Sequence, residues 1–345
     1  MMKKTGRILA AAVAAAMAVS LSACGGQAAA SGAAANSSPA SAGSSGKVFT
    51  IGVAQLVTHP AMDAALKGFQ DGLAQAGFKE GENVTYDIQN AQGEQSNCVT
   101  IANTFANKKP DLILAIATPA AQAVAKVITD TPVMITAVTD PEESKLVKSN
   151  KAPGGNISGT SDKTPVKDQI ALIKEIIPNL KTVGIMYCSS ETNSQIQAKW
   201  AQDACKELGL SSRDFTVSNS NEIQQVAQSM VGKVEAVYIP TDNMLASGMK
   251  NVVAVTNDAK LPIITGESGM VKNGGLCTVG INYEKLGFQT GAMAAKVLKG
   301  EAKPADLPIE YQEDYDISYN SETAKKLNIT LPAKITAGTD MAAQK

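Results

Sequence analysis

The sequence predicts an α/β protein with two similar, doubly wound parallel-sheet lobes and a ligand cleft between them. Strand-like apolar runs alternate with helical segments, which is typical of parallel βαβ units. The run 112–117 is continuously apolar, as expected of a strand that is buried on both faces of a parallel sheet. The order of elements in the first half of the chain also returns in the second half, which indicates a duplicated domain.

In the first half, strands and helices alternate from the first residues of the folded body. Apolar residues recur every three or four positions from Met62 to Leu73, which predicts an amphipathic helix that ends at Gly77. The predicted strands are 48–56, 84–89, 112–117, 132–138 and 157–162, and the predicted helices are 59–77, 94–108 and one that follows Thr118.

The corner after the strand 112–117 is a candidate ligand-binding position. Thr118 is a good helix N-cap, and Pro119 stands where the first helical residue should be. Such a corner presents a hydroxyl and free backbone N–H groups at the carboxyl end of a strand, where open α/β sheets bind ligands and where a helix N-terminus favours an anion. The alternative is that Thr118 only caps its helix.

The second half repeats this organisation. Its predicted strands are 182–188, 215–218, 234–240 and 262–265. Its predicted helices are 166–177, a second that ends at residue 208, and 223–231. Segment 51–55 matches 183–187, 111–118 matches 235–242, and 131–135 matches 261–265. Because the three pairs occur in the same order, we expect the polar corners of both halves to face one cleft.

The tail predicts how the lobes are connected. Segment 278–282 leads into a helix at 283–299, and a strand-like segment follows at 307–319. We interpret this as the chain crossing back to the first lobe and then returning. The predicted first lobe is therefore 48–161 plus 278–303, and the predicted second lobe is 162–277 plus 304–345.

The N-terminus has the pattern of a secretory signal peptide. Lys3, Lys4 and Arg7 precede a short apolar run, which is followed by small residues and Cys24. The ending Leu-Ser-Ala-Cys resembles a bacterial lipobox, which implies cleavage after residue 23 and lipidation of Cys24. Residues 24–47 are mostly Ala, Ser and Gly and predict a flexible tether. An ordinary signal peptide with an incidental Cys is the alternative.

Composition excludes several function classes. The 345 residues carry a formal net charge of −1 and a single His, so neither nucleic-acid binding nor a His-cluster metal site is expected. No G-x-x-x-x-G-K-[ST] segment is present to hold phosphates, and no cofactor or metal is expected. Four cysteines of the folded body are predicted to be buried small residues: Cys98, Cys188, Cys205 and Cys277. A disulfide between residues 188 and 205 is possible but has no support in the sequence.

Several motifs at the predicted corners resemble one family. G-V-A-Q-L-V-T-H-P-A-M-D-A, A-T-P-A-A-Q, A-V-T-D-P, G-T-S-D, S-S-E-T-N-S and P-T-D-N are similar to substrate-binding lipoproteins of ABC transporters with the type I periplasmic-binding-protein fold. They are most similar to the branch that binds tryptophan and other aromatic amino acids. The resemblance implies hinge closure around a small ligand, no enzymatic activity, a membrane permease and a cytoplasmic ATPase as partners, and an extracytoplasmic location at the bacterial cell membrane through lipidated Cys24.

An α-amino acid needs hydrogen-bond donors for its carboxylate and acceptors for its ammonium. Thr118 is predicted to bind the carboxylate with help from Thr139. Asp242 is predicted to bind the ammonium, although helix capping explains this residue equally well. Asp140 and Glu191 are the additional acidic candidates, and the other corner candidates are Asn193, Ser194, Asn243 and Ser268.

Three larger side chains complete the predicted site. Gln55 and Tyr187 end the first strand of each lobe and are expected to point toward the cleft, although core packing also explains Tyr187. His59 stands at the start of the first helix, where it is either a surface cap or a partner for an aromatic ring.

Three other functions remain open from the sequence. The same fold could bind a sugar or nucleoside, but the corners have few of the aromatic residues that stack on sugar rings. A sensory lipoprotein is the second alternative, and gene neighbours would distinguish it from a transport protein. The third is an enzyme with a Cys188–His59 nucleophile pair, for which no orienting third residue is evident.

Overall fold

The structure is a computed structural model that describes residues 47–344. The predicted signal peptide, Cys24 and nearly all of the predicted tether lie outside this range. The strands are β1 Phe49–Gln55, β2 Val84–Asn90, β3 Leu112–Ile116, β4 Val133–Val138, β5 Ile157–Ser161, β6 Thr182–Cys188, β7 Ser211–Val217, β8 Ala236–Ile239, β9 Ile263–Thr265, β10 Cys277–Gly280, β11 Glu310–Tyr311, β12 Asp316–Tyr319 and β13 Thr339–Asp340.

The helices alternate with the strands, as the sequence predicts for βαβ units. They are α1 Pro60–Gln75, α2 Gln95–Lys108, α3 Thr118–Val127, α4 Val166–Ile176, α5 Thr192–Glu207, α6 Ile223–Met230, α7 Asn243–Asp258, α8 Ser268–Lys272, α9 Tyr283–Leu298, α10 Ser321–Leu327 and α11 Ala333–Thr336. Two short 3₁₀ turns lie at Ser220–Glu222 and Pro304–Asp306.

The strands form two sheets, one in each lobe. The first sheet has the order β11-β5-β4-β3-β1-β2, and all of its pairs are parallel. The second has the order β13-β12-β10-β9-β8-β6-β7, in which only the β10–β12 pair is antiparallel. Every residue of β3, β4 and β5 is buried because helices and neighbouring strands cover both faces of the sheet.

The predicted duplication is confirmed by strand order. The run β4-β3-β1-β2 in the first sheet corresponds to β9-β8-β6-β7 in the second. The matched acids also have the same role. Asp111 accepts a hydrogen bond from the Thr50 amide at 2.8 Å, and Glu235 accepts one from the Thr182 amide at 2.6 Å. Each carboxylate thereby fixes the start of the first strand of its lobe, β1 or β6.

The chain passes between the lobes three times, and two predicted boundaries need correction. β10 pairs with β9 in the second sheet, so the chain crosses at 281–282 rather than at 278. The predicted final strand 307–319 is two strands. Glu310 lies opposite Thr160 at the edge of the first sheet, and β12 then pairs with β10 in the second. The first lobe therefore extends to Tyr311, because this short strand is paired before the chain returns.

Helices α1 and α9 pack in direct backbone contact in the first lobe. A Cβ atom added at Gly68 would lie 1.9 Å from the Glu284 carbonyl oxygen, and one added at Gly287 would lie 1.9 Å from that of Ala65. Residue numbers rise together along both helices at these contacts, so the helices are parallel and their N-termini lie at the same end. Glycine is required here because no side chain fits between the two backbones.

Candidate functional site

Residues from both lobes and from the connections between them enclose a small space, which we call the central cavity. The volume open to the centre of a water-sized sphere is about 10 Å³, which is room for roughly one water molecule. The cavity is lined by His59, Met62 and Ala137 of the first lobe, Asp162 and Tyr283 at two crossovers, and Asn193, Thr241, Asp242, Asn243, Ala246, Glu267 and Met270 of the second lobe.

The lobes are in contact around this cavity. Gln197 of α5 donates a hydrogen bond to the Thr139 hydroxyl at 3.1 Å, and the His59 Nε2 and Asn243 Oδ1 atoms are 3.4 Å apart. Nearer the surface, Gln95 donates to the Ser190 carbonyl at 2.8 Å. Because these contacts join residues of opposite lobes, the structure is a closed conformation.

Three lining residues each carry a polar atom that lacks a hydrogen-bond partner among residues 47–344. These atoms are Nδ1 of His59, Oδ1 of Asp162 and Oδ1 of Asn193. Buried polar atoms in proteins are nearly always hydrogen-bonded, because an unsatisfied group costs about 1–3 kcal/mol. The arrangement leaves two acceptor oxygens and one imidazole nitrogen available to a ligand in the cavity.

The cavity is acidic. Asp162 accepts a hydrogen bond from the Tyr283 hydroxyl at 2.8 Å, and burial raises the pKa of Asp162 to about 6. The nearby Thr139 hydroxyl also favours the ionised carboxyl, but it does not form a hydrogen bond of good geometry with Oδ1. Burial also raises the pKa of Glu267 to about 7. The hydrogen bonds that Glu267 accepts from the Gly269 and Met270 amides lower this pKa, but their effect is smaller than that of burial.

No lysine or arginine lines the cavity, so its carboxyls lack a cationic partner within the described part of the chain. Burial lowers the pKa of His59, which favours the neutral imidazole. A positively charged group of a ligand would therefore be attracted to this site.

Asp242 lines the cavity, but both of its oxygens already have partners. Oδ1 accepts from the Leu245 amide at 2.8 Å and caps α7, and Oδ2 accepts from the Cys188 amide at 2.6 Å. Burial and, as a smaller effect, the charge of Glu191 raise the pKa of Asp242 to about 7. The capping interpretation of Asp242 is confirmed. Because each carboxylate oxygen can accept more than one hydrogen bond, its role as an ammonium acceptor stays a prediction.

Glu191 supports α7 rather than the cavity. Its carboxylate accepts hydrogen bonds from the Asn243 amide at 3.2 Å and from the Met244 amide at 3.0 Å. It also accepts from the Asn193 side chain at 3.1 Å. Together with Asp242 it accepts hydrogen bonds from the first-turn amides of α7, and its predicted role behind the ammonium stays a prediction.

Asn193 is held in a defined orientation. Its Nδ2 donates to Glu191, to the Ser194 hydroxyl at 3.2 Å and to the Thr241 carbonyl at 3.0 Å. These bonds fix the side-chain amide so that Oδ1 is the atom left for the cavity. Ser194 is buried one step behind the cavity and therefore positions Asn193.

Thr118 does not cap its helix. α3 begins at Thr118, and the cap position is Ala117, whose φ of 81° lies in the left-handed region. The Thr118 side chain is buried, and its hydroxyl has no partner among the described residues. The first-turn amides of α3 likewise receive no side-chain cap. The predicted donor function remains open to Thr118, and the predicted capping is wrong.

Two predicted residues satisfy their polar groups within the first lobe and do not line the cavity. Gln55 is buried and donates to the Val57 carbonyl at 3.0 Å and to Asp63 at 2.9 Å. Asp140 accepts from the Glu143 amide and from the Asn150 side chain, each at 3.1 Å. Both side chains form local hydrogen bonds in the first lobe, and their predicted contact with the ligand stays a prediction.

Tyr187 and Ser268 also lie away from the cavity. The Tyr187 hydroxyl contacts Asp214 of the neighbouring strand at 3.4 Å, because the alternation of side chains along β6 directs it away. Ser268 begins α8 and lines a separate surface pocket, and its neighbour Glu267 is the residue that lines the central cavity.

Three residues that line the cavity were not predicted from the sequence: Asp162, Glu267 and Tyr283. Each follows a strand or begins a helix at an edge that was correctly located, so position was the available signal. Their chemistry was not readable, because unpaired and paired carboxyls look alike in a sequence.

The hypothesised Cys188–His59 pair is not formed. Cys188 Sγ lies 3.1 Å from the Ser190 hydroxyl, and burial raises the pKa of the thiol to about 11. Four cysteines are free and buried, as predicted: Cys98, Cys188, Cys205 and Cys277. Within residues 47–344, no group of three or more His, Cys, Asp or Glu side chains is arranged to hold a metal ion. None of the helices in that range is long and apolar enough to span a membrane.

Comparison with known proteins identifies the family. The family model described as "ABC transporter substrate binding protein" matches residues 50–342. The chain belongs to this family. Its members are binding proteins, and this chain is the substrate-binding component of an ABC transporter. The sequence resemblance to this family is thereby confirmed.

Individual relatives support the assignment. The chain is 42% identical to a tyrosine-binding protein of Clostridioides difficile over 81% of each chain. It is 41% identical to a solved domain from Streptococcus pneumoniae in complex with L-Trp, which matches with a TM-score of 0.82 over 85% of this chain and 99% of that one. A myo-inositol-bound solute-binding protein from Bacillus halodurans is 13% identical with a TM-score of 0.56 and shows the same two-lobed fold.

The conformation of a further relative is informative. A ligand-free, open substrate-binding protein from Clostridium difficile is 44% identical to this chain. The match covers 83% of this chain and 97% of that one, but the TM-score is only 0.65. The L-Trp complex, at nearly the same identity, scores 0.82. The lower score of the open structure agrees with the closed arrangement of this chain.

Proposed function

We propose that the protein captures an aromatic L-amino acid in the central cavity and delivers it to an ABC permease for import. The observation that carries the proposal is the pair of unpaired acceptor oxygens, Oδ1 of Asp162 and Oδ1 of Asn193, in one acidic cavity. Relatives that are 41–42% identical bind tyrosine or are solved with L-Trp.

The ammonium group is assigned to Asp162 and Asn193. Both oxygens accept hydrogen bonds, and Asp162 adds a negative charge. A bound ammonium favours the ionised carboxyl and so opposes the effect of burial on the pKa of Asp162. Tyr283 donates to the other oxygen of Asp162, which directs Oδ1 toward the ligand.

The carboxylate is assigned to the corner at the start of α3. The Thr118 hydroxyl is a buried donor without a partner among residues 47–344, and the first-turn amides of α3 receive no side-chain cap. A helix N-terminus stabilises a negative charge. The predicted contribution of Thr139 is indirect in this assignment, because its hydroxyl accepts from Gln197 and lies near Asp162.

The ring of the ligand is assigned to the side of the cavity that contains His59 and Tyr283. His59 is buried, and its neutral imidazole keeps Nδ1 available to a ring hydroxyl or indole N–H. Both side chains offer flat faces for aromatic contacts, which contribute about 0.5–1.5 kcal/mol beyond area burial.

The test is calorimetry of the protein lacking residues 1–23, titrated with L-Phe, L-Tyr and L-Trp, and with a common sugar and a nucleoside as competing solutes. Asp162→Asn replaces the charged acceptor by an amide whose N–H₂ group repels an ammonium. We expect at least a hundredfold loss of aromatic amino-acid affinity, about 2.7 kcal/mol.

The matched control is Asp168→Asn. Asp168 is exposed on the first turn of α4 and does not line the cavity. The affinity of the Asp168→Asn variant for aromatic amino acids should stay within twofold of the wild-type value. Unchanged affinity of the Asp162→Asn variant would exclude the ammonium assignment, and tight binding of only the sugar or nucleoside would exclude the amino-acid proposal.

Lipidation of Cys24, an extracytoplasmic location and a cytoplasmic ATPase behind the permease complete the proposal. The lipobox-like Leu-Ser-Ala-Cys segment supports the anchor. In cells fed a radiolabelled fatty acid, the wild-type chain should carry label in the membrane fraction, whereas Cys24→Ala should not. Import that persists in a deletion strain, with loss of a kinase response instead, would favour a sensory role.

A further inference from the structure

We propose that Met62 and Met270 are the specificity-determining walls of the site and set the relative affinities for phenyl, phenol and indole side chains. This inference rests on the proposed function, because it concerns the part of the cavity that would hold the ring. Nothing in the family assignment names these two residues.

The two methionines face the cavity from opposite lobes. Met62 lies in the first turn of α1 in the first lobe, and Met270 lies in α8 of the second lobe. Both are buried and both line the central cavity. A ring that enters between the lobes would therefore meet one methionine on each side when the lobes close.

The methionines are the lining side chains that can most readily make room. The space in the closed cavity is about 10 Å³, far less than a ring requires. Asn193, Asp242 and Glu267 are fixed by two or more hydrogen bonds each. Methionine has three rotatable side-chain bonds and no hydrogen bond to lose, so it adapts to irregular shapes.

The remaining apolar lining is small and is constrained to stay small. Ala246 and Ala137 complete the apolar lining. Ala137 has a φ of 56°, in the left-handed region, and lies where the register between β4 and β5 shifts. A β-branched residue is strained in this conformation, so the width of the cavity at this point is set by the backbone. Adjustment to different rings is left to the methionines.

Sulfur also contributes to recognition. A thioether near an aromatic ring contributes about 0.3–1.5 kcal/mol, and it does so for each of the three rings. Flexible sulfur-containing walls therefore predict a site that accepts several aromatic side chains with similar affinity. Replacement by leucine, which has fewer rotamers, should make the site more selective.

The test measures dissociation constants of L-Phe, L-Tyr and L-Trp for Met62→Leu and Met270→Leu. The matched controls are Met134→Leu in β4 and Met249→Leu in α7, which are fully buried in the two lobes but do not line the cavity. We expect the Trp-to-Tyr affinity ratio to change at least fivefold in the Met62 and Met270 variants and less than twofold in the controls.

Ratios that change no more in the Met62 and Met270 variants than in the controls would overturn this inference and leave the proposed function intact. Equal losses for all three ligands would also overturn it. Wild-type protein that binds none of the three would overturn both proposals.

A second measurement does not depend on variants. In wild-type protein with ¹³C-labelled methionine methyl groups, adding L-Trp should shift the Met62 and Met270 signals through the ring current of the indole. The Met134 and Met249 signals should stay in place. Shifts confined to other methionines would contradict the assignment even if a variant failed to fold.

Discussion

The corner after β3 and the corner after β8 occupy equivalent positions in the two lobes, but their polar groups are in opposite states. Asp242 caps α7 and also accepts a hydrogen bond from the last residue of β6. Glu191 accepts hydrogen bonds from two more amides at the N-terminus of α7. Thr118 neither caps α3 nor has a partner among the described residues. The second-lobe corner is therefore internally saturated, whereas the first-lobe corner retains donors for a ligand.

The difference shows that duplicated positions need not share a function. A carboxylate at a helix N-terminus serves the fold, because it consumes the amides that would otherwise attract an anion. A hydroxyl that leaves those amides open is free to bind a ligand, as we propose for Thr118. We therefore expect the second-lobe corner to contribute mainly to stability, although Asp242 and Asn243 also line the cavity.

The largest expected effect is on stability in the second lobe. Asp242→Ala removes the cap of α7 and leaves the buried Cys188 amide without an acceptor. We expect the free energy of unfolding to fall by about 3 kcal/mol, measured by urea denaturation without ligand. A loss below 1 kcal/mol would show that the second-lobe corner is not the structural anchor described here.

The second prediction concerns pH. Burial raises the pKa values of Asp162, Asp242 and Glu267 to about 6, 7 and 7. A raised carboxyl pKa means that the folded state prefers the protonated form, so stability is greatest at low pH and is lost as pH rises through these values. The lowered pKa of His59 acts in the opposite direction, but it is one group against three.

We therefore expect the free energy of unfolding of the ligand-free protein to fall by at least about 2 kcal/mol between pH 5 and pH 8. Urea denaturation at both pH values measures this change. Asp162→Asn should reduce the pH dependence, because it removes one raised group. Stability that increases over this range would show that the carboxyls are not buried as in the closed conformation.

The third prediction concerns the first-lobe corner. Thr118→Val keeps the shape of the side chain and removes the unpaired hydroxyl. We expect about a tenfold loss of ligand affinity, which is 1.4 kcal/mol, with the free energy of unfolding unchanged or slightly increased. Calorimetry and urea denaturation of the same sample separate the two effects. A loss of stability without a loss of affinity would reverse the division between the corners.

The smallest expected effect is at the exposed contact between the lobes. Gln95→Ala removes the hydrogen bond to the Ser190 carbonyl, which lies near solvent and contributes about 0.5–1.5 kcal/mol at most. We expect affinity to fall less than tenfold, mainly through faster dissociation in stopped-flow measurements. Gln202→Ala is the control, because Gln202 bonds only to Asp214 within the second lobe.

Much of the fold could be predicted from the sequence because it depends on repeated local patterns. Continuous apolar runs located strands such as β3, and the three matched segment pairs predicted the duplication that the strand orders of the two sheets show. The last crossovers could not be predicted as well. β11 pairs over only two residues, Glu310 and Tyr311, and so short a pairing has no periodic signal.

The site was predicted by position rather than by chemistry. His59, Asn193, Asp242 and Asn243 were named in advance and line the cavity. Asp162 was missed, although the strand before it was recognised. Whether a carboxyl oxygen is already occupied depends on which amides the fold brings to it, as the contrast between Asp242 and Asp162 shows. That information is tertiary and is absent from local sequence patterns.

The glycine-mediated contact between α1 and α9 has a consequence for the speed of capture. His59 precedes α1 and Tyr283 begins α9, at the matching ends of two helices whose backbones touch. Because no side chain separates these backbones, we expect the two helices to move as one body and the spacing of His59 and Tyr283 to stay constant when the lobes close. A solute that reaches the open protein would then meet these two side chains already in place, before the second lobe closes over it.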